Sequence, residues 1–197
     1  MRDYKIGRSF FVSLLVVLSA SFVPRLPMVL ITSRVLAENV DARKAEADRL
    51  LLQGIKQAQT SQSTAALQSW EQALKIYREI KDRQGEGDAL GNLGTAYFSF
   101  GNYSKAIDYH QQHLAIAREI KDRKGEGQSL GNLGNAYYYL GDYPKAIDYY
   151  QQSLAILRSI KDRRGEGQSL NNLGVVYDSL GDYPKAIDYH QQSLAIA

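Results

Sequence analysis

Apolar residues recur along the chain at helical spacing, in a pattern that repeats every 40 residues. Within one period, four of them follow one another at intervals of three, four and three positions: Leu130, Leu133, Tyr137 and Leu140. This spacing predicts a helix over about 126–140 with a single apolar face. The pair Gly141–Asp142 then breaks the pattern and predicts the end of this first helix.

A second helix is predicted to begin near Pro144, because proline is tolerated in the first turn of a helix. Its inward-facing residues are predicted to be Ala146, Ile147, Tyr150, Leu154 and either Ile156 or Leu157. Short breaks between successive helices favour antiparallel neighbours. A fixed period of this length is typical of a solenoid, in which each unit buries its apolar face only against adjacent units. The sequence therefore predicts an all-α solenoid of stacked antiparallel helix pairs.

The predicted array covers residues 44–197, in four repeats at 44–83, 84–123, 124–163 and 164–197. The first repeat is atypical, as terminal repeats commonly are, since Ser61 and Ser63 stand where Gly101 and Tyr103 stand one period later. The last repeat stops while its second helix is still running. We therefore expect the chain to be a fragment of a longer repeat protein, with an apolar end that offers a surface for self-association.

Residues 1–37 differ in composition from the array. Three basic residues precede an apolar run over 9–23, which is the layout of a secretory signal. The small or medium-sized residues at 35–37 offer a cleavage point, with residues 18–20 as an earlier alternative. The alternative is an uncleaved membrane anchor, although the run is shorter than the roughly 20 residues that span a bilayer. Residues 38–43 are assigned to a short linker. The array is therefore expected to be periplasmic, extracellular or anchored facing away from the cytoplasm, with a cytoplasmic location as the alternative.

The repeat resembles a known family through one pattern of residues: Leu133-Gly134, Tyr137, Gly141, Tyr143, Ala146-Ile147 and Leu154. This pattern is similar to the tetratricopeptide (TPR) helix pair, whose usual period is 34 residues. The 40-residue form resembles the TPRs of the Partner of Inscuteable (Pins, LGN) scaffolds and of bacterial multi-repeat proteins that often carry a caspase-like CHAT domain. The resemblance implies that the first helix of each pair lines a concave groove and the second forms the outer surface.

A polar stripe follows the first helix of each repeat, opposite the apolar face. The candidate peptide-binding residues on and beside it are Asp88, Asn92, Thr95, Gln128, Asn132, Asn135, Tyr138, Tyr139, Gln168 and Asn172. Asparagine recurs at one position in three repeats, although it is a poor helix former. A carboxamide both donates and accepts hydrogen bonds, so a ladder of them suits the backbone of an extended peptide. The structural alternative is that these asparagines bond the adjacent repeat.

The resemblance also bears on the kind of peptide. The Pins-type family commonly has an arginine near the start of the first helix for acidic partners, whereas this chain has Gln128 and Gln168 there. That difference argues against a strong preference for acidic peptides. The Asp-Arg-Lys and Asp-Arg-Arg runs nearby are interpreted as solvated turns between repeats.

These features predict a non-enzymatic scaffold with a protein or peptide partner in its groove. The alternative is the sensing or substrate-recruiting arm of a longer protein with a C-terminal CHAT-type protease domain. No nucleophile, base and orienting group recur together, so no catalytic residue is assigned. His110 and His113 lie three residues apart but lack an obvious third ligand, so a structural role is predicted and neither a metal nor another cofactor is assigned.

Charge and cysteine content narrow the function classes further. The net charge is +3, with both signs interspersed, so no basic block indicates binding to nucleic acid. The chain has no cysteine, which excludes disulfides and thiolate metal sites within it. Most of the 14 tyrosines lie at core spacing and are predicted to pack inside the array.

Overall fold

The computed structural model describes the backbone of residues 26–196 and the side chains of residues 37–196. Over these residues it contains eight helices and no strand: α1 (Leu26–Gln59), α2 (Ser63–Ile80), α3 (Arg83–Ser99), α4 (Tyr103–Glu119), α5 (Arg123–Tyr139), α6 (Tyr143–Ser159), α7 (Arg163–Ser179) and α8 (Tyr183–Leu194). From α2 onwards each helix packs against the next one along the chain. The prediction of an all-α solenoid of helix pairs is therefore confirmed.

The chain divides into two compact units, Met1–Leu36 and Ala37–Ala197. Only a stretch of helical backbone is described in the first unit, so the predicted signal or anchor lies almost wholly outside the described residues. Residues 38–43, which were assigned to a linker, lie within α1. None of the helices in the described part of the chain is long and apolar enough to cross a membrane.

Polar side chains fix where the helices begin. The first helix of each later repeat is capped by an aspartate, Asp82, Asp122 or Asp162, which accepts the N–H of the glycine three residues on at 2.9–3.0 Å. The second helices are capped in the same way by Asn102, Asp142 and Asp182, at 3.1–3.3 Å. Each cap satisfies an N–H that has no partner within the helix, and an aspartate also complements the positive end of the helix dipole.

The turns that join the two helices of a pair keep one backbone geometry. Gly101, Gly141 and Gly181 take φ angles of 73°, 77° and 76°. In the atypical first repeat, Ser61 takes a φ of 60° at the equivalent position. The turn is thus retained without the glycine, at the cost of placing a side chain in the left-handed region.

Within each pair, a glycine of the first helix faces a ring of the second helix sixteen residues later. The four pairs are Gly54 with Trp70, Gly94 with His110, Gly134 with Tyr150, and Gly174 with His190. A Cβ built on any of these glycines would lie only 2.4–2.6 Å from an atom of its ring. The two helices can approach this closely only because the first helix has no side chain at that point.

Leucines of the first helices form the rest of the core. Those from α3, α5 and α7 are at most 1% exposed: Leu90, Leu93, Leu130, Leu133, Leu170 and Leu173. The sequence predicts that either Ile156 or Leu157 faces inward in the second helix of the third repeat. Both side chains are buried. The prediction that Leu140 belongs to the apolar face is wrong, since its side chain is 50% exposed. α5 ends at Tyr139, so Leu140 caps the helix and points away from the stacked faces.

Buried carboxylates tie successive repeats together. Glu126, in the first turn of α5, is 6% exposed and binds Arg118 of α4 at 2.9 Å as well as Arg123 of its own turn. Glu86 and Glu166 occupy the same position and each pair with two arginines in the same way. A buried carboxylate needs such pairing. The cations of the turns are exposed, as the sequence predicts, and Arg123 and Arg163 also belong to an ion-pair network between repeats.

The glycine and ring contact makes a stability prediction for α5. Gly134→Ala would place a Cβ 2.6 Å from Cδ1 of Tyr150, whose ring is 2% exposed and whose hydroxyl is bonded to Asn135 at 2.6 Å. Because the ring has no room to move, we expect the free energy of unfolding to fall by roughly 1–3 kcal/mol, measured by urea unfolding followed by circular dichroism.

The matched control lies one turn earlier on the same helix. In Gly131→Ala the new Cβ would meet only Oγ of Ser153, at 3.5 Å. Since alanine favours the helix over glycine, this change should be neutral or stabilising by up to about 1 kcal/mol. Equal effects of the two substitutions would contradict the close-contact explanation.

Candidate functional site

The polar stripes of α3, α5 and α7 meet in one groove. α3 contacts α5, and α5 contacts α7, so the first helices of successive repeats lie side by side. The groove has a volume of about 570 Å³. Seven of the ten predicted site residues line it: Asn92, Thr95, Gln128, Asn132, Asn135, Gln168 and Asn172. The structure thus brings together predicted residues from three repeats on one surface.

The three equivalent asparagines have different environments. Nδ2 of Asn172 donates to Oδ1 of Asn135 in the preceding repeat at 3.3 Å. Oδ1 of Asn135 also accepts the hydroxyl of Tyr150 at 2.6 Å, and burial raises the pKa of that hydroxyl, so it stays protonated. Nδ2 of Asn92 donates to the backbone carbonyl of Asp88 in its own helix at 2.9 Å.

The residue contributed by the preceding repeat explains this difference. Asn172 meets Asn135, whereas the equivalent partner of Asn132 is Thr95, whose hydroxyl donates to the backbone carbonyl of Gly91 at 2.9 Å. The equivalent partner of Asn92 is Ile55, which is apolar. An amide partner thus exists for Asn172, while neither of the other two asparagines finds one in the repeat before it.

Three carboxamides in the groove remain available for a ligand. Gln128, Asn132 and Gln168 line the groove, and their side chains make no hydrogen bond to another residue of the described part. Each presents one acceptor oxygen and two N–H donors. Asn132 is half-buried at the centre of the stripe, with a glutamine on each of α5 and α7 close by. The available hydrogen-bonding capacity is therefore concentrated on α5 and α7.

The other three predicted residues lie outside this lining. Asp88 is exposed and accepts a hydrogen bond from Gln84 at 3.3 Å. The hydroxyl of Tyr138 lies 3.1 Å from Oγ of Ser179. Tyr139 is 59% exposed, and its ring centroid lies 5.3–5.4 Å from those of Phe98, Tyr103 and Tyr138. The two tyrosines thus belong to an aromatic cluster near the carboxyl end of α5.

The groove also contains two cations that the sequence interpretation missed. Lys124 and Arg164 lie in the first turns of α5 and α7 and line the groove, and neither forms an ion pair with any described residue. They occupy one variable position in the turn motif, where the second repeat has Gln84. This variation, at one position of an otherwise constant turn, is the sequence feature that could have indicated them. The positive ends of two helix dipoles add to their charge.

The two histidines of α4 differ in exposure: His110 is buried and His113 is half-buried. Nδ1 of His113 lies 2.9 Å from Oγ of Ser129, which itself donates to the backbone carbonyl of Gly125 at 2.8 Å. His113 is therefore the donor to Ser129, and burial lowers its pKa. Ser129 is completely buried, whereas His113 is half-buried and lines the groove. Within the described residues, no three side chains of the metal-binding types lie close enough to share an ion.

His110 fills the space above Gly94 and is 1% exposed. Its Nδ1 atom has no hydrogen-bond partner among the described residues. Burial lowers its pKa to about 4, and the neighbouring His113 acts in the same direction. His110 therefore packs as a neutral ring at the position where the next repeat has Tyr150.

Comparison with known proteins identifies the repeat. A family model described as tetratricopeptide repeat matches residues 54–119 and 125–197. The TPR domain of Arabidopsis FLU is 28% identical, with a TM-score of 0.57 over 59% of this chain and 98% of that one. A search of curated proteins found no match.

Two larger proteins share the fold at lower identity. BtubC (BKLC) from P. vanneervenii is 22% identical, with a TM-score of 0.71 over 76% of this chain and 62% of that one. A Rap protein complexed with competence and sporulation factor is 21% identical, with a TM-score of 0.72 over 78% of this chain and 43% of that one. The chain thus spans less than two thirds of either protein, and likeness at this identity concerns the fold.

The burial of His110 makes a prediction about acid stability. Its pKa is about 4 when folded and about 6.5 when unfolded, so the unfolded state binds a proton first as the pH falls. The stability that the neutral ring contributes is present above pH 6.5 and is lost progressively towards pH 4. Between pH 7 and pH 5 this loss amounts to about 2 kcal/mol.

His110→Phe should remove that loss, because phenylalanine keeps a ring above Gly94 and does not titrate. The measurement is the free energy of unfolding in urea at pH 7 and pH 5 for both proteins. We expect the variant to lose about 2 kcal/mol less than the parent over this interval. The same pH dependence in both proteins would show that His110 is not the group responsible.

Proposed function

The chain belongs to the tetratricopeptide repeat family, and we propose that it is a non-enzymatic interaction scaffold that binds an extended peptide or partner segment in its concave groove. The observation that carries this proposal is a set of three carboxamides, those of Gln128, Asn132 and Gln168, which bond no described residue and line a groove of about 570 Å³. That volume lies within the range of pockets that bind ligands.

The chemistry of the carboxamides suits a peptide backbone. Each residue of an extended segment presents one N–H and one C=O, which need partners when they leave water. A carboxamide pairs with either group whatever the adjacent side chain is. A groove that uses such contacts recognises an extended backbone first and its sequence second.

The comparisons support a protein or peptide as the partner. One of the similar folds is a Rap protein complexed with competence and sporulation factor. The further resemblance to Pins-type scaffolds and CHAT-linked repeats stays a prediction from the sequence, as does the alternative role as the recruiting arm of a longer enzyme. Self-association through the last repeat likewise stays a prediction.

The composition of the N-terminal segment, residues 1–37, supports a proposal about location. We propose that residues 1–37 act as an export signal or a membrane anchor, on the evidence of their basic start and apolar run. A fusion of residues 1–43 to a reporter enzyme that is active only outside the cytoplasm should give activity in a bacterial host. Reporter activity no greater than that of an unfused control would count against both forms of the proposal.

The groove is tested with peptides selected from a random 12-residue library displayed on phage. Asn132→Ala should weaken the selected peptides about fivefold, the equivalent of roughly 1 kcal/mol for one lost hydrogen bond, as measured by fluorescence anisotropy. Because Asn132 bonds no described residue and alanine is the better helix former, its removal should keep the helical signal and leave the melting temperature unchanged or slightly raised.

Two further variants separate recognition from structure. Asn172→Ala removes the bond to Asn135, so it should lower the melting temperature as well as weaken binding. Gln72→Ala removes an exposed carboxamide from α2, outside the groove, and should change neither. Selected peptides that bind Asn132→Ala as tightly as the parent protein would sink the proposal that this carboxamide grips the ligand.

A further inference from the structure

The groove continues beyond its central part at both ends. A cavity of about 420 Å³ between α1, α2 and α3 shares Asn92 and Thr95 with the central groove. A cavity of about 800 Å³ beside α7 and α8 shares Asn132, Asn135, Arg164, Gln168 and Asn172 with it. One continuous surface therefore runs from the first repeat to the fourth.

The end at the first repeat is apolar. The lining of its cavity contains no charged side chain, and its apolar members are Ile55, Ala58, Ala66, Trp70, Ala96 and Phe100. Phe100 is 52% exposed, so a ring at the edge of this cavity is open to contact. This character follows from the atypical first repeat, where Ile55 stands at the position that Thr95, Asn135 and Val175 occupy later. The cavity is suited to a large apolar side chain.

The opposite end is cationic. The cavity beside α7 and α8 is lined by Arg163 and Arg164 and by no acidic side chain. Lys124 lies nearby in the central groove, and the one acidic residue of that lining, Asp162, is engaged as the cap of α7. Arg163 is paired with Glu166, so Lys124 and Arg164 are the cations of these two linings that form no ion pair with a described residue. Acidic groups complement this end, whereas they would be desolvated without a partner at the apolar end.

We propose that the groove takes an extended segment in one orientation, with a large apolar residue between α1 and α3 and acidic residues beside α5 and α7. This inference rests on the proposed function and adds the partner's chemistry and register. The apolar site between α1 and α3 lies two first-helix steps from the site beside α5 and α7, which is about 20 Å at about 10 Å per step, and the two sites also differ by about ten residues of helix length, or about 15 Å. The resulting diagonal of roughly 25 Å corresponds to about eight residues of extended chain, at about 3.3 Å each.

Defined synthetic peptides test the inference. The bipartite peptide carries two anchors, a Leu-Phe pair and an Asp-Glu pair, which lie eight residues apart. The spacer between them consists of Ser, Gly and Asn, and the peptide is made with the two anchors in either order. Single-ended peptides lack one pair, and a short version has the pairs four residues apart. One direction of the bipartite peptide should bind at least tenfold tighter than either single-ended peptide and the short version.

Variants assign each anchor to its end. Lys124→Gln and Arg164→Gln introduce glutamine, the residue that the second repeat has at the equivalent position, Gln84. Together they should weaken binding of the bipartite and acid-only peptides and leave binding of the apolar-only peptide unchanged. Ala58→Glu places a charge in the apolar cavity and should weaken the bipartite and apolar-only peptides. Phe100→Ala should act in the same direction. Binding of the bipartite peptide should also fall when the salt concentration is raised, because ion pairs are screened.

Matched controls are available in the repeats themselves. Lys75→Gln removes a positive charge from an exposed position of α2 outside the groove. Leu140→Ala repeats the Phe100→Ala change one period later, at a residue that is 50% exposed but does not line the apolar cavity. Neither control should alter binding of any of the peptides.

The outcomes distinguish this inference from the proposed function. If library-selected peptides bind in a manner that depends on Asn132, but the bipartite peptide binds no tighter than the single-ended ones, the asymmetry is wrong and the scaffold function stands. The asymmetry would also be overturned if the double variant Lys124→Gln, Arg164→Gln and the variant Ala58→Glu each weakened binding of every peptide to the same extent. If neither the selected nor the bipartite peptide binds, both proposals fail.

Discussion

The close contact between a glycine of the first helix and a ring of the second sets the geometry of each repeat. At Gly134 the missing side chain lets the Tyr150 ring lie against the helix backbone, and Gly94 and Gly174 receive histidine rings in the same way. The first repeat keeps this contact through Gly54 and Trp70, although it has lost the turn glycine. The glycine of this contact is thus more constant than the glycine of the turn, and the ring that packs against it varies among tryptophan, histidine and tyrosine.

This packing explains why the groove exists and why it tolerates variation. The face of each first helix that carries the glycine and the leucines packs inside the array, which leaves its polar stripe to line the groove. The arginines around Glu126 hold α5 against α4 from outside the groove. Gln128 and Asn132 take no part in these ion pairs, and their side chains bond no described residue.

The period predicted most of the fold, because an internal repeat fixes helix pairs, their order and their buried leucines together. It failed at Leu140, where the spacing continued but the helix ended one residue earlier. The pairing of Asn172 could not be read from its own repeat, because its partner Asn135 lies 37 residues earlier and on another helix. Lys124 and Arg164 were missed for a related reason, since charges in a turn look solvated until the neighbouring helices are placed.

Identity between repeats is therefore a poor guide to function inside this array. Asn92, Asn132 and Asn172 are the same residue at the same position, yet one bonds its own helix, one bonds no described residue and one bonds the preceding repeat. What decides between them is the variable residue one repeat earlier: Ile55, Thr95 or Asn135. Since constant positions build the stack, specificity has to come from the positions that differ. The apolar first repeat and the cations Lys124 and Arg164 are such differences, and they give an otherwise uniform groove two distinct ends.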